Sequence, residues 1–196
     1  MHAHLRNSVL LVAVMTVLTG VVYPGLVTAL AQAFFPGPAN GSLVTVNGRV
    51  IGSMLVGQPF DDAAYFWSRP SVTPGHPYNG AASRGSNLGP LSGTLAARVA
   101  ARVEALRRFG PVGAAPIPVD LVTASASGLD PHLSPAAALY QVDRVAALRG
   151  LDAAAVRALV EGHVEPRTLG FVGEPVVNVL ILNLALDSMS SGGGRR

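Results

Sequence analysis

His76, His132 and His163 are the side chains with the widest chemical reach in the body of this 196-residue chain. Imidazole ligates metals and moves protons near neutral pH. No two of the three stand at the spacing that pairs ligands on one helix face, so they do not read as a metal centre. Ser125, Asp130 and His132 supply the residue types of a nucleophilic triad. They are crowded into one short stretch, whereas triad members come from separate elements, and there is no G-x-S-x-G elbow. Asp130-Pro131-His132 reads instead as a turn running into a helix cap at Ser134. Residue types that are missing exclude more. Without Cys there is no thiol catalysis and no Cys-based zinc site. Without Lys the chain cannot form a G-x-x-x-x-G-K-[ST] phosphate loop or an Asp-Lys-Thr-Gly phosphorylation site. ATP hydrolysis coupled to this chain therefore belongs to another protein. Gln141 is polar amid an apolar-patterned helix, and the pattern alone reads as an exposed helix residue.

The element that places all of these residues is a charge-free run near the start. No Asp, Glu, Lys or Arg occurs between Arg6 and Arg49. Residues 9–35 are dominated by Val, Leu, Ala, Phe and Thr, a stretch of about 27 residues or roughly 40 Å as a helix. A bilayer core needs about 20 apolar residues. Two readings are open, a retained anchor and a cleaved signal with Ala29-Leu30-Ala31 as its A-x-A site and Pro24-Gly25 breaking the helix ahead of it. The uninterrupted length favours the anchor. Thr16, Thr19 and Gly20 give it small surfaces for packing among other membrane helices. Arg6 precedes the run, so the positive-inside bias puts residues 1–7 in the cytoplasm, 8–35 across the membrane and the remainder outside. Arg6 aside, thirteen Arg stand against eleven Asp or Glu, nearly balanced. Arg98, Arg102, Arg107 and Arg108 fall on one expected helix. With no aromatic platform beside them, they read as a solvated face and not as a nucleic-acid patch.

Past a Pro/Gly/Asn linker at 36–42, residues 43–56 read as a hairpin about Asn47-Gly48. A short helical turn is expected at 61–67, ending in Tyr65-Phe66-Trp67. Residues 68–93 are rich in Pro and Gly and form a long loop, either ordered against a partner or mobile. Leu95, Val99, Val103 and Leu106 make one stripe of a helix over 94–109 that Gly110-Pro111 ends. A buried strand is expected at 118–123 and a turn at 125–131. Ser134 then caps a helix opening on Pro135 and running to Arg149 and Gly150. Asp152 caps another to about 164. Over 176–187 helix and strand periodicities compete, with helical steps at Leu180, Leu184 and Asp187. The tail 188–196 reads as disordered. The fold class is a mixed α+β domain, residues 43–187, on a single N-terminal transmembrane helix.

Several blocks carry a resemblance. They are Phe66-Trp67-Ser68-Arg69-Pro70-Ser71, then Tyr78-Asn79-Gly80-Ala81-Ala82-Ser83 with Gly85-Ser86-Asn87-Leu88-Gly89-Pro90. The run from Pro118 through Ser127-Gly128-Leu129-Asp130-Pro131-His132 to Tyr140-Gln141-Val142 follows. Leu169-Gly170-Phe171-Val172-Gly173-Glu174-Pro175, with Asn178, Asn183 and Asp187, completes them. In this order they resemble the KdpC family, the C subunit of the bacterial high-affinity potassium-transporting ATPase. The resemblance implies a single-pass inner-membrane subunit with a periplasmic domain. It implies three partners: a channel-like potassium-binding subunit, a P-type ATPase subunit that hydrolyses ATP, and a small single-helix subunit. Potassium is then the transported ion and this chain is non-catalytic. It also implies a catalytic-chaperone role that raises ATP affinity, with Ser125, Ser127, Gly128 and Asp130 likened to an ABC-transporter signature and Gln141 contacting nucleotide. The orientation above puts Gln141 across the membrane from cytoplasmic ATP. The competing reading is a periplasmic cap at the potassium entrance with no nucleotide contact. A secreted hydrolase would require cleavage after Ala31. Within the loop, Arg69, Tyr78, Asn79 and Asn87 are the expected partner contacts.

Overall fold

The computed structural model describes residues 2–109 and 116–192. The chain divides into two compact units, Met1–Leu43 and Val44–Arg196.

The first unit is helical from its start. α1 (His2–Val17) and α2 (Tyr23–Phe34) join through a π turn at Leu18–Val22. Together they make one helix of 33 residues, long and apolar enough to cross a membrane. Pro24-Gly25 does not break it, whereas the cleaved-signal alternative had it doing so. Pro24 sits in the first turn of α2, where its missing N–H is absorbed by the wider π turn before it. The Thr19 hydroxyl returns to the Met15 carbonyl at 2.7 Å, so a polar side chain in the apolar run is satisfied internally. The linker folds further than its Pro and Gly content suggested: α3 (Pro36–Ala39) is one helical turn, closed by Asn40 donating to the Pro36 carbonyl.

The second unit begins with the expected hairpin, β1 (Leu43–Val46) and β2 (Arg49–Ser53). Asn47 and Gly48 both have positive φ, +50° and +76°, as a type I′ turn requires. Residues 61–67 form an Asx turn and not a helical one, because Asp62 Oδ1 takes the Ala64 N–H and the chain then runs on extended. Ordered loop fills 68–92 apart from a 3-10 turn at Gly80–Ala82, and α4 (Gly93–Phe109) follows. The stop expected at Gly110-Pro111 lies outside the described residues.

The strand expected at 118–123 is a 3-10 turn, Val119–Leu121. Alternation would have buried Val119 with Leu121. In a helix of three residues per turn they diverge, leaving Val119 at 69% and Leu121 at 0% exposure. Asp120 stabilises the turn by accepting the Ser134 N–H at 2.7 Å.

β3 (His132–Leu133), β4 (Val164–Glu165) and β5 (Val176–Asn178) form an antiparallel sheet in the order β3-β5-β4, with Leu133 and Val164 both opposite Val177. Both periodicities in 176–187 are thus real: the chain is strand to Asn178, then enters α8 (Val179–Gly192). α8 carries 188–192 as helix, against the expected disorder there; 193–196 lie outside the described residues. The helix expected from Ser134 to Arg149 is two, α5 (Pro135–Tyr140) and α6 (Val142–Arg149), parted at Gln141. Ser134 caps the first through the Ala137 N–H, and Gly150 ends the second at φ +63°. α7 (Ala153–Gly162) is capped by Asp152. Leu133, Val142, Val145, Val156, Val160, Val177, Leu182 and Leu186 are all buried where these helices close over the sheet. Each contributes about 1.5–3 kcal/mol by leaving water.

Candidate functional site

Gln141 lies on the buried face shared by Ala137, Ala138, Val142 and Val145, and only 1% of the residue is exposed, so the exposed reading of the sequence is overturned. Its backbone N–H turns to the Ala138 carbonyl, and its side-chain Nε2 takes over the Ala137 carbonyl that a regular helix would have used. The same Nε2 donates to the Trp67 carbonyl at 3.2 Å, while Oε1 accepts from the Trp67 N–H at 2.8 Å and from Arg144 Nη2 at 2.6 Å. Both donors and both acceptor positions of the amide are therefore in use. One residue earlier, Asn183 of α8 does the same to Phe66, accepting its N–H at 2.9 Å and donating to its carbonyl at 3.0 Å. Two side-chain amides thus act as partner strands for an extended segment buried without a β-neighbour.

Two guanidiniums lie over the Trp67 ring, Arg144 at 4.4 Å and Arg102 at 5.1 Å from its centroid. Arg144 also donates to the Ala63 and Tyr65 carbonyls. Burial, reinforced by the nearby Arg102 charge, pulls the Arg144 guanidinium down to about 10, which leaves it charged at neutral pH. Arg102 donates to the carbonyls of Leu121 and Ser68 at 3.0 and 3.1 Å, and burial lowers it as well. Arg102 is thus an internal brace, while Arg98, Arg107 and Arg108 are exposed as expected. The roles of Asn183, Arg102 and Arg144 were missed in the sequence. The one signal was polarity at otherwise apolar positions, Asn183 amid the leucines of α8 and Arg144 three residues after Gln141.

From Trp67 the chain runs directly into the second cluster. Arg69 pairs with Asp130 at 3.0 Å. The Ser71 hydroxyl donates to the Gly128 carbonyl at 2.7 Å and accepts the Tyr78 N–H at 2.9 Å. Tyr78 in turn donates its hydroxyl to the Arg69 carbonyl, and burial pushes its phenol pKa up, keeping the donor protonated. The Thr73 hydroxyl takes the Asn79 N–H, and Asn79 closes the turn onto the Ala81 N–H and the Pro74 carbonyl. On the facing segment, Ser125 Oγ accepts the Gly128 N–H and Ser127 Oγ accepts the Leu129 N–H. Burial pushes the Asp130 carboxyl up, but hydrogen bonds from His132 and the Arg69 charge outweigh it and hold Asp130 below the ordinary carboxylate range. The Ser125 hydroxyl is engaged with Gly128 and not with His132, so the triad types are not assembled as a triad.

Of the residues singled out in the sequence, Asp130 pairs with Arg69, and Gly128 is joined to Tyr78 through the Ser71 hydroxyl. The Ser127 carbonyl accepts from Ser83 and Arg84, while Asn79 bonds within its own loop. Gln141 reaches this cluster only through Trp67 and Ser68, and Asn87 stands exposed at φ +51° on a different part of the loop. The arrangement fixes an otherwise irregular loop in one conformation and displays no nucleophile with a base beside it.

The family model described as "K+-transporting ATPase, c chain" matches residues 5–188. A potassium-transporting ATPase KdpC subunit of Sorangium cellulosum is 63% identical over 187 residues, covering 95% of this chain and 98% of that one. Proteins of the same name from Herpetosiphon aurantiacus and Methylococcus capsulatus are 57% and 56% identical, each over at least 95% of this chain and 98% of their own length. With the match running from the apolar helix through α8, the chain belongs to the KdpC family.

Proposed function

We infer that this chain is the non-hydrolysing accessory subunit of an ATP-driven potassium uptake complex in a bacterial inner membrane, and that it acts by assembling and steadying the complex from the periplasmic side. Its partners in this reading are the channel-like potassium-binding protein, the P-type ATPase protein and the small single-helix protein of that complex. Potassium is the cargo, and ATP is bound and hydrolysed on the P-type ATPase partner. The observation that carries the reading is the family match over residues 5–188, which takes in the apolar helix and the folded domain together. Arg6 ahead of that helix, with no further charge before Arg49, supports a cytoplasmic start and a periplasmic domain. The ordered loop 68–92 supports contact with a neighbouring subunit, with Arg69, Tyr78 and Asn79 holding its shape and Asn87 offering an exposed amide.

An ATP-affinity role through Gln141 and the 125–130 block would have to draw on groups already committed inside the fold. The Gln141 amide would give up hydrogen bonds to Trp67, Ala137 and Arg144 to reach a nucleotide. We expect Gln141→Ala to lower the yield of assembled complex, while the KM for ATP of what does assemble stays at the wild-type value. Normal assembly with a raised KM would sink the structural reading in favour of nucleotide contact. For orientation, a Ser86→Cys chain should react with a membrane-impermeant maleimide in spheroplasts; labelling only after lysis would reverse the topology.

A further inference from the structure

α4 enters the core through Leu106, with Ala105 packed against it. Leu95, Arg98, Ala101, Arg102 and Ala105 of the same helix wall a cavity of about 620 Å³. Opposite lie Val72 and Thr73 of the long loop, Leu88 further along it, and Val122 to Ala124 after the 3-10 turn. The volume is within the roughly 300–1,000 Å³ of small-molecule sites. The wall is chiefly apolar, no Asp or Glu lines it, and both of its titratable groups are arginines. Arg102 has two of its nitrogens committed to backbone carbonyls and contributes positive charge from the floor. Arg98 is exposed and, among the described residues, pairs with no carboxylate. The loop 68–92 that the assembly reading assigns to a neighbouring subunit supplies one wall of this cavity, and the space in question lies between that loop and α4.

What the polar groups of the wall are doing selects the kind of ligand. The hydroxyls of Ser71, Thr73 and Thr123 donate to the carbonyls of Gly128, His76 and Val119. A peptide entering the cavity would bury its own N–H and C=O groups against walls with few hydrogen bonds left to return, at a desolvation cost. An alkyl chain asks for none. We propose that this cavity binds a single-headed anionic amphiphile, its carboxylate or phosphate on Arg98 and its aliphatic chain along Leu95, Ala101, Ala105, Val72 and Leu88. A domain tethered to a bilayer meets such molecules at high effective concentration. The site does not depend on which side of the membrane the domain faces.

The full chain in phosphatidylcholine nanodiscs, irradiated with a diazirine-bearing palmitate and mapped by mass spectrometry, tests this. Crosslinks are expected on 70–73, 86–88 and 95–105. Excess laurate or lysophosphatidylglycerol should displace them, and dodecyltrimethylammonium should not; the stronger of the two anions identifies the head group. Arg98→Gln should weaken this labelling about tenfold, the loss of one charge-assisted hydrogen bond. Ala101→Trp should fill the cavity and abolish it. Both positions are exposed, and an unchanged melting temperature shows that each variant is folded. Crosslinks confined to α1 and α2, equal displacement by the cationic amphiphile, or undiminished labelling of folded Ala101→Trp would each overturn the site. Displacement by an acidic apolar tetrapeptide at lower concentration than laurate would assign the cavity to a protein segment instead.

Discussion

Gln141 and Asn183 solve one local problem from two helices. Phe66 and Trp67 are apolar enough to be drawn inside, but they carry backbone N–H and C=O groups with no adjacent strand to pair them. An amide side chain offers one donor and one acceptor at about the separation of a peptide group, so each of the two residues is paired as a β-neighbour would pair it. Gln141→Ala would leave both Trp67 groups buried and unpaired, and we expect a loss of about 2–4 kcal/mol, read from chemical denaturation. Gln141→Glu keeps the acceptor for Trp67 and Arg144 and loses the donors, so its loss should be smaller. Asn183→Ala should cost a similar amount to Gln141→Ala. Because the two amides hold consecutive residues, the double variant should deviate from the sum of the singles by about 0.5 kcal/mol or more. The sequence revealed that Gln141 is unusual but pointed it outward. Its helical steps to Ala137, Ala138 and Val145 put it on the buried face, but a polar residue reads as buried only once its partner is known, and the Trp67 backbone lies 74 residues away in the chain.

At the scale of elements, the long loop and the 125–132 segment are one construction, fastened by Ser71, Tyr78, Arg69 and Asp130. Gly128 is a point of close approach between the two. Its φ is +69°, and a Cβ there would lie 2.7 Å from Thr73 Cγ2 and 2.8 Å from the Arg84 carbonyl oxygen. Gly150 shares the left-handed backbone, at φ +63°, but has open space around it. Gly150→Ala should therefore cost about 1 kcal/mol, the conformational term alone. Gly128→Ala adds a collision with backbone and should cost clearly more; equal melting shifts for the two would refute the contact. Asp130, held below the ordinary range, contributes stability that is fully present above the unfolded carboxyl value of about 4 and fades as pH falls through the depressed folded value. The melting gap between wild type and Asp130→Asn should thus be constant from neutral pH to about 5 and shrink below about 4. Turn chemistry made the hairpin, the caps at Ser134 and Asp152 and the stop at Gly150 legible. The 3-10 turn at Val119–Leu121 was not, because Val-Asp-Leu-Val carries β-propensity that the Asp120–Ser134 hydrogen bond overrides.

For the molecule as a whole, the first helix is long and apolar enough to cross a membrane. A chain lacking residues 2–42 should leave the membrane fraction in ultracentrifugation; retention there would mean that the domain holds the membrane or its partners unaided. Sequence alone determined the long apolar helix, the exclusion of thiol and P-loop chemistry, most element positions and the family, because these depend on local composition, spacing and residue type. Tertiary structure decided what the marked residues do. Arg102 became a brace, Gln141 and Asn183 became surrogate strands, and Ser125 with Asp130 became fastenings of a loop. Each of those roles requires a partner far along the chain, and only packing sets which distant backbone a polar side chain meets when both are taken out of water.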